Sequence, residues 1–401
     1  MFSGRSTLTL AKAALTQDAP VYVQFYVTAR CNLTCQQCNI IYANSDVREC
    51  TLDEIHRIAE NFARIGVAIV LLTGGEPFAR KDLPEIIRAF ESRDIHVRMQ
   101  TNGAATRDQV EQAVAAGGTD ISISLDSLRP AVQDRINGGF NESWHRALKA
   151  IAMFTECLPR KGSFASLGCV LQPDNVGDIE DVVRFGTAIQ WHTSLVPVHV
   201  TEHVRPRGFR SFDRELKFLP QEYAAVDAVI ERVRAMQREG FLLYDSDQYL
   251  DDIRRFVRNQ PTTWRDRNGG VCDSPNLYFA VLPNGDFAPC CDYRLDGGFS
   301  TISPDFPRTY RDARFRAAVR EVVGRCEGCM YGSYPEMTIS MRFLAAKLQR
   351  ARTFFAAPPP KDHWPLSYER LLEFAESIRA EARTRVRLER RRSIAIASAD
   401  A

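Results

Sequence analysis

The chain has 401 residues, of which 45% are hydrophobic and 25% charged, and its formal net charge is +2. This is the composition of an ordinary globular protein, and the near-neutral charge argues against general binding to nucleic acid or to an anionic membrane. No run of about 18 apolar residues is present, so we expect no transmembrane segment. Residues 1–20 lack the apolar run of a signal peptide. The 11 cysteines therefore favour metal binding in a reducing cytoplasm over disulfides.

Strand and helix patterns alternate in the first half of the chain. The predicted strands cover residues 21–27, 68–73, 96–101, 120–124, 164–171 and 194–199. The predicted helices cover residues 51–65, 83–92, 107–116, 143–157 and 176–189, and Thr51 with Glu54 has the spacing of a capping box. This alternation predicts an α/β fold with a parallel sheet and right-handed crossovers. Six units are too few for a closed eightfold barrel, so we expect a partial (β/α)6 TIM-type barrel.

The second half of the chain predicts a smaller module. Two apolar runs flank Asn284-Gly285, which is the strongest short signal for a β-hairpin, and a helical pattern follows. Further helices are predicted at residues 221–239, 249–258, 312–323, 336–355 and 368–391. We therefore divide the chain into an N-terminal extension (1–20), the partial barrel (21–215), a helical linker (216–265), an auxiliary-cluster domain of hairpin and helix (266–335), and C-terminal helices with a basic tail (336–401).

Three cysteines follow the first predicted strand on one short loop. Cys31, Cys35 and Cys38 have the spacing C-x3-C-x2-C, which allows three thiolates to hold three irons of a [4Fe–4S] cluster. An electron-transfer cluster normally has four cysteine ligands, so a cluster with three leaves an open position, as a catalytic zinc does. A zinc site is the alternative, but no histidine lies between Arg30 and Leu52, and Cys50 would have to be the fourth ligand.

This three-cysteine loop is the signature of the radical S-adenosylmethionine (SAM) enzymes, and the chain resembles that superfamily. The resemblance implies that the amino and carboxylate groups of SAM chelate the open iron. It implies that one electron from the reduced cluster splits SAM into methionine and a 5′-deoxyadenosyl radical, which abstracts hydrogen from a substrate. It also implies a reducing partner such as flavodoxin or ferredoxin.

The ends of the next strands extend the resemblance. The second strand ends in Thr73-Gly74-Gly75-Glu76-Pro77, where the superfamily keeps its motif for the amino group of SAM. Gly74 and Gly75 allow a close approach of the backbone to a ligand, and Glu76 adds negative charge.

Polar residues close the third and fourth strands. By the same resemblance, Ser124 contacts the ribose or carboxylate of SAM, and Asp126 orients neighbouring loops. The resemblance also makes Asn102, in Gln100-Thr101-Asn102-Gly103 at the end of the third strand, a SAM-binding residue. For Asn102 and Asp126, capping of a strand end is the alternative. Many relatives carry an aromatic residue where this chain has Gln37, so we expect the adenine contact from Ile40, Ile41 or Tyr42.

A second group of cysteines lies around the predicted hairpin. Cys272 precedes the hairpin, Cys290 ends it, and Cys326 and Cys329 follow the next helix. Four thiolates suit a closed [4Fe–4S] cluster, and the pattern resembles the twitch domain, a shortened relative of the SPASM domain of radical SAM enzymes. A zinc site with the same ligands is the alternative. Cys291 either replaces Cys290 as a ligand or remains a thiol that acts as a catalytic hydrogen donor.

These sites together predict a radical SAM enzyme with an auxiliary cluster that takes or relays an electron. We expect it to oxidise (dehydrogenate) or epimerise a small metabolite. The alternatives are a peptide-modifying or lipid-modifying radical SAM enzyme and, in another class, a two-cluster electron-transfer or sensor protein, which would need no SAM site. Residues 341–355 form a basic amphipathic pattern. Packing on the barrel is its favoured interpretation, and peripheral contact with a membrane is the alternative.

Overall fold

The computed structural model describes residues 4–38, 47–200, 214–266, 272–326, 328–355 and 361–399. Their strands are β1 Tyr22–Thr28, β2 Ile69–Gly74, β3 His96–Thr101, β4 Asp120–Ser124, β5 Phe164–Leu171, β6 His192–Pro197, β7 Tyr278–Val281 and β8 Phe287–Ala288.

The helices alternate with the strands in the first half of the chain and dominate the second. They are α1 Gly4–Thr16, α2 Leu52–Ile65, α3 Leu83–Glu91, α4 Arg107–Ala115, α5 Pro130–Ile136, α6 Ser143–Cys157, α7 Ile179–Ala188, α8 Tyr223–Arg238, α9 Asp247–Val257, α10 Thr263–Asp266, α11 Phe306–Arg311, α12 Ala313–Gly324, α13 Ser333–Arg342, α14 Leu344–Phe355 and α15 Tyr368–Ala399.

The eight strands form one sheet in the order β6-β5-β4-β3-β2-β1-β7-β8. Strands β1 to β6 are parallel neighbours in chain order, which confirms the predicted α/β fold with a partial barrel. The hairpin extends the same sheet, because β7 pairs in parallel with β1 and places Tyr278 beside Tyr22. The second cysteine group is therefore attached directly to the first strand of the barrel.

Side chains alternate between the two faces of the barrel strands, as strand geometry requires. The outward residues are apolar and fully buried against the helices, as Val70, Leu72, Ile121 and Ile123 show. The inward residues are mostly polar, and a large group of them lines a cavity: Gln24, Arg98, Gln100, Ser122, Ser124 and Ser194. Barrel interiors without a ligand are usually filled with branched apolar side chains, so this polar inner face indicates a binding site.

Two local predictions are wrong. The helix expected at residues 336–355 is two helices, because the backbone of Phe343 is extended (φ −109°, ψ 119°) and separates α13 from α14. The second hairpin strand, expected to reach Cys290, ends at Ala288. In addition, helix α5 had no predicted counterpart, although Pro130 at its start is a typical first residue of a helix.

Helix α14 packs on the protein through polar contacts. Gln349 donates to the side chain of Gln237 at 3.0 Å, and Arg350 donates to the carbonyl oxygen of Tyr244 at 2.8 Å. These contacts favour the barrel-packing interpretation of this basic segment. Within the described ranges, no helix is long and apolar enough to cross a membrane.

Candidate active site

Two glycines at the end of β2 fix the chain that leads into the first cysteine loop. The amide of Gly75 donates to the carbonyl oxygen of Thr28 at 2.8 Å, and the amide of Glu76 donates to that of Arg30 at 2.8 Å. A Cβ atom on Gly74 would lie 2.1 Å from the Thr28 oxygen, and one on Gly75 would lie 2.2 Å from the Arg30 oxygen. Any side chain at either position would therefore displace the backbone just before Cys31.

Glu76 joins the end of β2 to the end of β3. Its carboxylate accepts hydrogen bonds from the Phe78 amide at 3.0 Å, from the Thr101 hydroxyl at 2.8 Å and from the Asn102 amide at 2.8 Å. Burial raises the pKa of Glu76 to about 7, and these three donors partly oppose that shift. The geometry therefore gives Glu76 a positioning role in addition to the negative charge that the sequence predicts.

Asn102 holds the cysteine loop from the other side. Its side-chain amide donates to Asn32 at 2.9 Å and lies 3.6 Å from the sulfur of Cys31. Its side-chain oxygen also accepts from the Ala104 amide at 3.1 Å, which is the strand-end turn weighed as an alternative. Asn102 does both.

The end of α5 contacts the middle of the cysteine loop, which sequence reasoning missed. The thiol of Cys35 lies 3.4 Å from the side-chain oxygen of Asn137. A Cβ atom on Gly138 would lie 2.4 Å from the carbonyl oxygen of Thr34. The pair Gly138-Gly139 after a short helical pattern was the available signal of this close approach.

The three thiols of the loop lie within electrostatic reach of one another. Burial raises the pKa of Cys35, and the neighbouring Cys38, Asp126 and Cys31 raise it further. Across the described residues, no three His, Cys, Asp or Glu side chains are arranged around a single metal ion. A zinc ion needs its ligands around one centre, whereas the thiolates of a [4Fe–4S] cluster bind different irons.

The end of β4 supplies the remaining predicted SAM contacts. Ser124 lines the barrel cavity. Asp126 accepts from the Val170 amide at 2.7 Å, and its backbone oxygen accepts from Asn175 at 2.8 Å, so it ties β4 to β5. Burial raises the pKa of Asp126 to about 7. The residues expected to contact adenine, Ile40, Ile41 and Tyr42, lie outside the described residues.

The second cysteine group comes together at the edge of the barrel. Cys326 and Cys272 lie close enough to Cys329 to raise the pKa of its thiol, which burial raises first. Burial likewise raises the pKa of Cys290, with smaller effects from Cys326 and Cys329 among its neighbours. These four thiols therefore form one group, in which Cys326 is buried and the other three are partly buried.

Backbone amides point at the sulfur atoms of this group. Cys290 accepts from the amides of Asp292 and Tyr293, both at 3.4 Å, and Cys326 accepts from the amide of Gly328 at 3.3 Å. Such N–H···S contacts stabilise thiolate ligands of iron–sulfur clusters. The donor set therefore fits a closed cluster held by the four predicted cysteines.

Cys291 lines the barrel cavity, and Cys290 does not. The thiol of Cys291 donates to the side-chain oxygen of Gln24 at 3.6 Å. The hydroxyl groups of Tyr26 and Tyr334 lie beside it. Burial raises the pKa of Cys291 to about 12, so the thiol keeps its hydrogen at neutral pH. Cys290 thus belongs to the second cysteine group, and the adjacent Cys291 belongs to the cavity wall.

The cavity has a volume of about 200 Å³ and is bounded by the inward faces of the strands and by residues 331–333. His199 anchors that last segment to the end of β6. One ring nitrogen of His199 donates to the carbonyl oxygen of Pro197 at 2.9 Å, and the other accepts from the Met330 amide at 2.9 Å. Its ring stacks on that of Tyr331 with centroids 3.8 Å apart. The segment that follows Cys329 thereby forms one part of the cavity wall.

The charged side chains of the cavity are mostly acidic. Among the described residues that line it, Arg98 is the one arginine or lysine, and its guanidinium lies 3.6 Å from Asp120 and donates to Ser166 at 3.0 Å. Asp245 and Glu336 line the same cavity, and each is only 2% exposed.

All 11 cysteines are free of disulfides, as metal binding in a reducing environment requires. The cysteine loop, the strand-end residues and the polar cavity lie on one side of the sheet, at and below the carboxyl ends of parallel strands. This is where α/β barrels place their active sites.

Comparison with known proteins identifies the fold and the chemistry. Residues 25–186 match the Radical SAM superfamily. The chain is 29% identical over 236 residues to a probable GTP 3′,8-cyclase of Pyrococcus abyssi, covering 58% of this chain and 75% of that protein. It is 38% identical over 121 residues to the GTP 3′,8-cyclase of Tolumonas auensis, covering 29% of this chain and 36% of that protein.

Two solved structures share the fold at low sequence identity. Streptococcus suis SuiB bound to S-adenosylmethionine aligns with a TM-score of 0.59 at 19% identity, covering 82% of this chain and 77% of that one. The protein anSMEcpe with bound AdoMet aligns with a TM-score of 0.55 at 13% identity, covering 91% of this chain and 99% of that one. Residues 25–186 therefore carry a radical SAM domain, and the protein is an enzyme whose cofactors are a [4Fe–4S] cluster and SAM.

Proposed function

We propose that this enzyme epimerises a small polar metabolite in the barrel cavity and that Cys291 supplies the hydrogen atom that completes the reaction. The observation that carries the proposal is that Cys291 lines the cavity and donates to Gln24, whereas its neighbour Cys290 does not line it. When bound, the first cluster and SAM supply the 5′-deoxyadenosyl radical that removes a hydrogen atom from the substrate. Cys31, Cys35 and Cys38 hold that cluster, and Gly74, Gly75, Glu76, Asn102 and Ser124 position SAM.

The state of the Cys291 side chain suits hydrogen-atom donation. A thiol donates a hydrogen atom only while it is protonated, and burial keeps the pKa of Cys291 at about 12. The S–H bond is weaker than the C–H bonds beside oxygen or nitrogen in alcohols and amines, so transfer to a carbon radical is favourable. Gln24 accepts from the thiol and fixes its direction.

The reaction balances with two electrons from a reductant. One electron is consumed when SAM is split, and the substrate gives one hydrogen atom to form 5′-deoxyadenosine. Cys291 returns one hydrogen atom to the opposite face of the substrate carbon and becomes a thiyl radical. A second electron and a proton restore the thiol. We propose flavodoxin or ferredoxin as the reducing partner and the cytoplasm as the location, since free thiols need a reducing compartment.

The second cysteine group supports a second candidate, dehydrogenation. We propose that Cys272, Cys290, Cys326 and Cys329 hold a closed auxiliary [4Fe–4S] cluster of the twitch type. If the substrate radical loses an electron to this group and a proton to solvent, the product is a carbonyl compound or an imine. The peptide bond between Cys290 and Cys291 keeps the electron acceptor adjacent to the cavity.

The size of the cavity favours a small substrate over a peptide or lipid. An engineered apolar cavity of roughly 150 Å³ accepts benzene, so the volume of about 200 Å³ here suits a molecule of about one ring.

The names of the relatives raise GTP cyclisation as a rival. A triphosphate requires several cations, and the described part of the cavity wall offers Arg98, which already faces Asp120. The same wall carries two buried carboxylates. Incubation of the reduced enzyme with GTP and SAM tests the rival, and we expect GTP to be recovered unchanged.

The orientation of Cys291 can be tested without knowing the substrate. The reduced enzyme is incubated with SAM in D₂O without added thiols, so that the Cys291 thiol exchanges to S–D. We expect the radical to take deuterium from it and the 5′-deoxyadenosine to gain one mass unit. The label should disappear in Cys291→Ala and remain in Cys157→Ala, a matched control because Cys157 lies on α6 outside the cavity. Equal label in wild type and Cys291→Ala would contradict the proposal.

A further inference from the structure

Two acidic side chains that the catalytic proposal does not use line the wall of the substrate cavity. Asp245 follows the segment beside β6, and Glu336 lies in the first turn of α13. Each is 2% exposed. Buried carboxylates are costly unless they are paired or hydrogen-bonded, so their partners decide whether they are structural.

Asp245 has only neutral partners. Its carboxylate accepts from the hydroxyl of Ser194 at 2.8 Å and from the amide of Leu195 at 2.7 Å. Burial raises the pKa of Asp245 to about 7, and the nearby charge of Glu336 raises it further. These contacts hold the carboxylate in place but do not neutralise it.

Glu336 has one cationic partner. Arg350 contacts its carboxylate at 3.0 Å, and Ser246 donates to it through its amide and hydroxyl at 2.9 and 3.0 Å. Arg350 also lowers the pKa of Asp245 from a greater distance. His192, also near Arg350, has a pKa lowered to about 4 by burial and by that arginine, so it is neutral. Two carboxylates therefore share one guanidinium.

Another part of the cavity wall presents an acceptor without a donor. The side-chain oxygen of Gln37, a cavity residue, is buried and makes no hydrogen bond within the described part of the chain. A ligand that donates several hydrogen bonds and carries positive charge would pair with the Gln37 oxygen and with the carboxylates of Asp245 and Glu336.

We propose that the substrate is an amine, protonated at neutral pH, whose ammonium group binds beside Asp245 and Glu336. The inference rests on the proposed function in that it takes this cavity as the substrate site. An ammonium group has three donors and no acceptor, which matches a wall of carboxylate, amide and hydroxyl oxygens. Charge-assisted hydrogen bonds to a buried carboxylate are about twice as strong as neutral ones, so Asp245 sets the preference for an amine over an alcohol of the same shape.

The test compares cyclohexylamine with cyclohexanol, which have the same ring and differ in charge. Binding to the reconstituted enzyme is measured by ligand-observed NMR and calorimetry at pH 7.5 without reductant, so that no SAM is consumed. We expect the amine to bind at least about tenfold more tightly. Asp245→Asn should remove the preference, because the side chain stays nearly isosteric and loses its charge. Glu336→Gln should also reduce the preference for the amine. If Asp245→Asn fails to fold, Glu336→Gln alone tests the proposal.

Asp251→Asn is the matched control, because Asp251 lies on α9, pairs with Arg234 at 2.6 Å and does not line this cavity. The Asp251→Asn variant should prefer the amine over the alcohol as strongly as wild type does. Equal binding of the two probes, binding of neither, or an amine preference that survives in both cavity variants would overturn the proposal. Cys291→Ala should keep the amine preference, so a failure of the hydrogen-donor proposal is distinguishable from a failure of this one.

Discussion

The two cysteine groups are built in different ways, although both lie beside the same first strand. The first is a single loop of eight residues whose shape is imposed from outside, by the glycines that end β2, by Asn102 at the end of β3 and by Asn137 after α5. The second collects its thiols from distant positions in the sequence, with backbone amides that donate to the sulfur atoms of Cys290 and Cys326. A loop with three thiols is suited to an open cluster that binds SAM, and a group of four to a closed one. The cavity and Cys291 lie between them.

Removal of the first cysteine group should have the largest effect on activity. Replacing Cys31, Cys35 and Cys38 together by Ala should reduce the iron content from about eight to about four per chain, since each cluster holds four irons. All formation of 5′-deoxyadenosine should stop. Iron analysis and liquid chromatography measure the two quantities. Zinc in stoichiometric amount at the remaining group, with iron for only one cluster in wild type, would contradict the two-cluster account.

The external support of the first loop can be broken without touching a cysteine. Gly75→Ala places a Cβ atom 2.2 Å from the Arg30 oxygen, so the backbone before Cys31 must move. A displacement of about 1 Å costs roughly 100-fold in rate, and we expect SAM cleavage to fall by that order while the second cluster remains. Gly177→Ala is the control, because nothing lies within 4 Å of the added Cβ there. Normal SAM cleavage in Gly75→Ala would show that the glycines do not shape the loop.

Removal of the second group should have a selective effect. Cys326→Ala with Cys329→Ala should lose about four irons and still form 5′-deoxyadenosine, because the first loop is positioned by the glycines that end β2, by Asn102 and by Asn137. Turnover to product should fail if the group takes the substrate electron. A normal product yield in this variant would show that the second cysteine group has only a structural role.

The smallest effect concerns the pH dependence of stability. The pKa of Glu76 is about 7 in the folded protein against 4.5 for an ordinary glutamate, so the folded state binds more protons between these values. The free energy of unfolding should therefore fall as pH rises from about 4.5 to 7, by about 3 kcal/mol for this group. Glu76→Gln should flatten that part of the profile, measured by thermal unfolding at each pH. An unchanged profile would show that Glu76 is ionised throughout.

Local patterns were sufficient for most of the fold. The capping box at Thr51 is present, with its hydroxyl and the carboxylate of Glu54 each accepting from the other's amide. Gly285 adopts the positive φ of 85° that the hairpin turn requires. The alternation of polar and apolar residues in β3 and β4 would also have predicted the polar cavity, because successive side chains of a strand face opposite sides.

The remaining features depend on contacts between distant parts of the chain. The pairing of β7 with β1 joins strands that are far apart in sequence, and no local pattern encodes which strand a hairpin will join. The placement of Cys291 in the wall of the barrel cavity likewise depends on the fold. Asp245 and Glu336 belong to no motif, and only the fold brings them to one cavity wall.

The measurement that tests the central claim most directly compares the two adjacent cysteines. Cys290→Ala and Cys291→Ala are each assayed for iron content and for deuterium in 5′-deoxyadenosine formed in D₂O. We predict that Cys290→Ala loses the second cluster and keeps the label, whereas Cys291→Ala keeps about eight irons and loses the label. The opposite pattern, with iron lost in Cys291→Ala and label lost in Cys290→Ala, would contradict the assignment of one cysteine to the cluster and the other to the substrate.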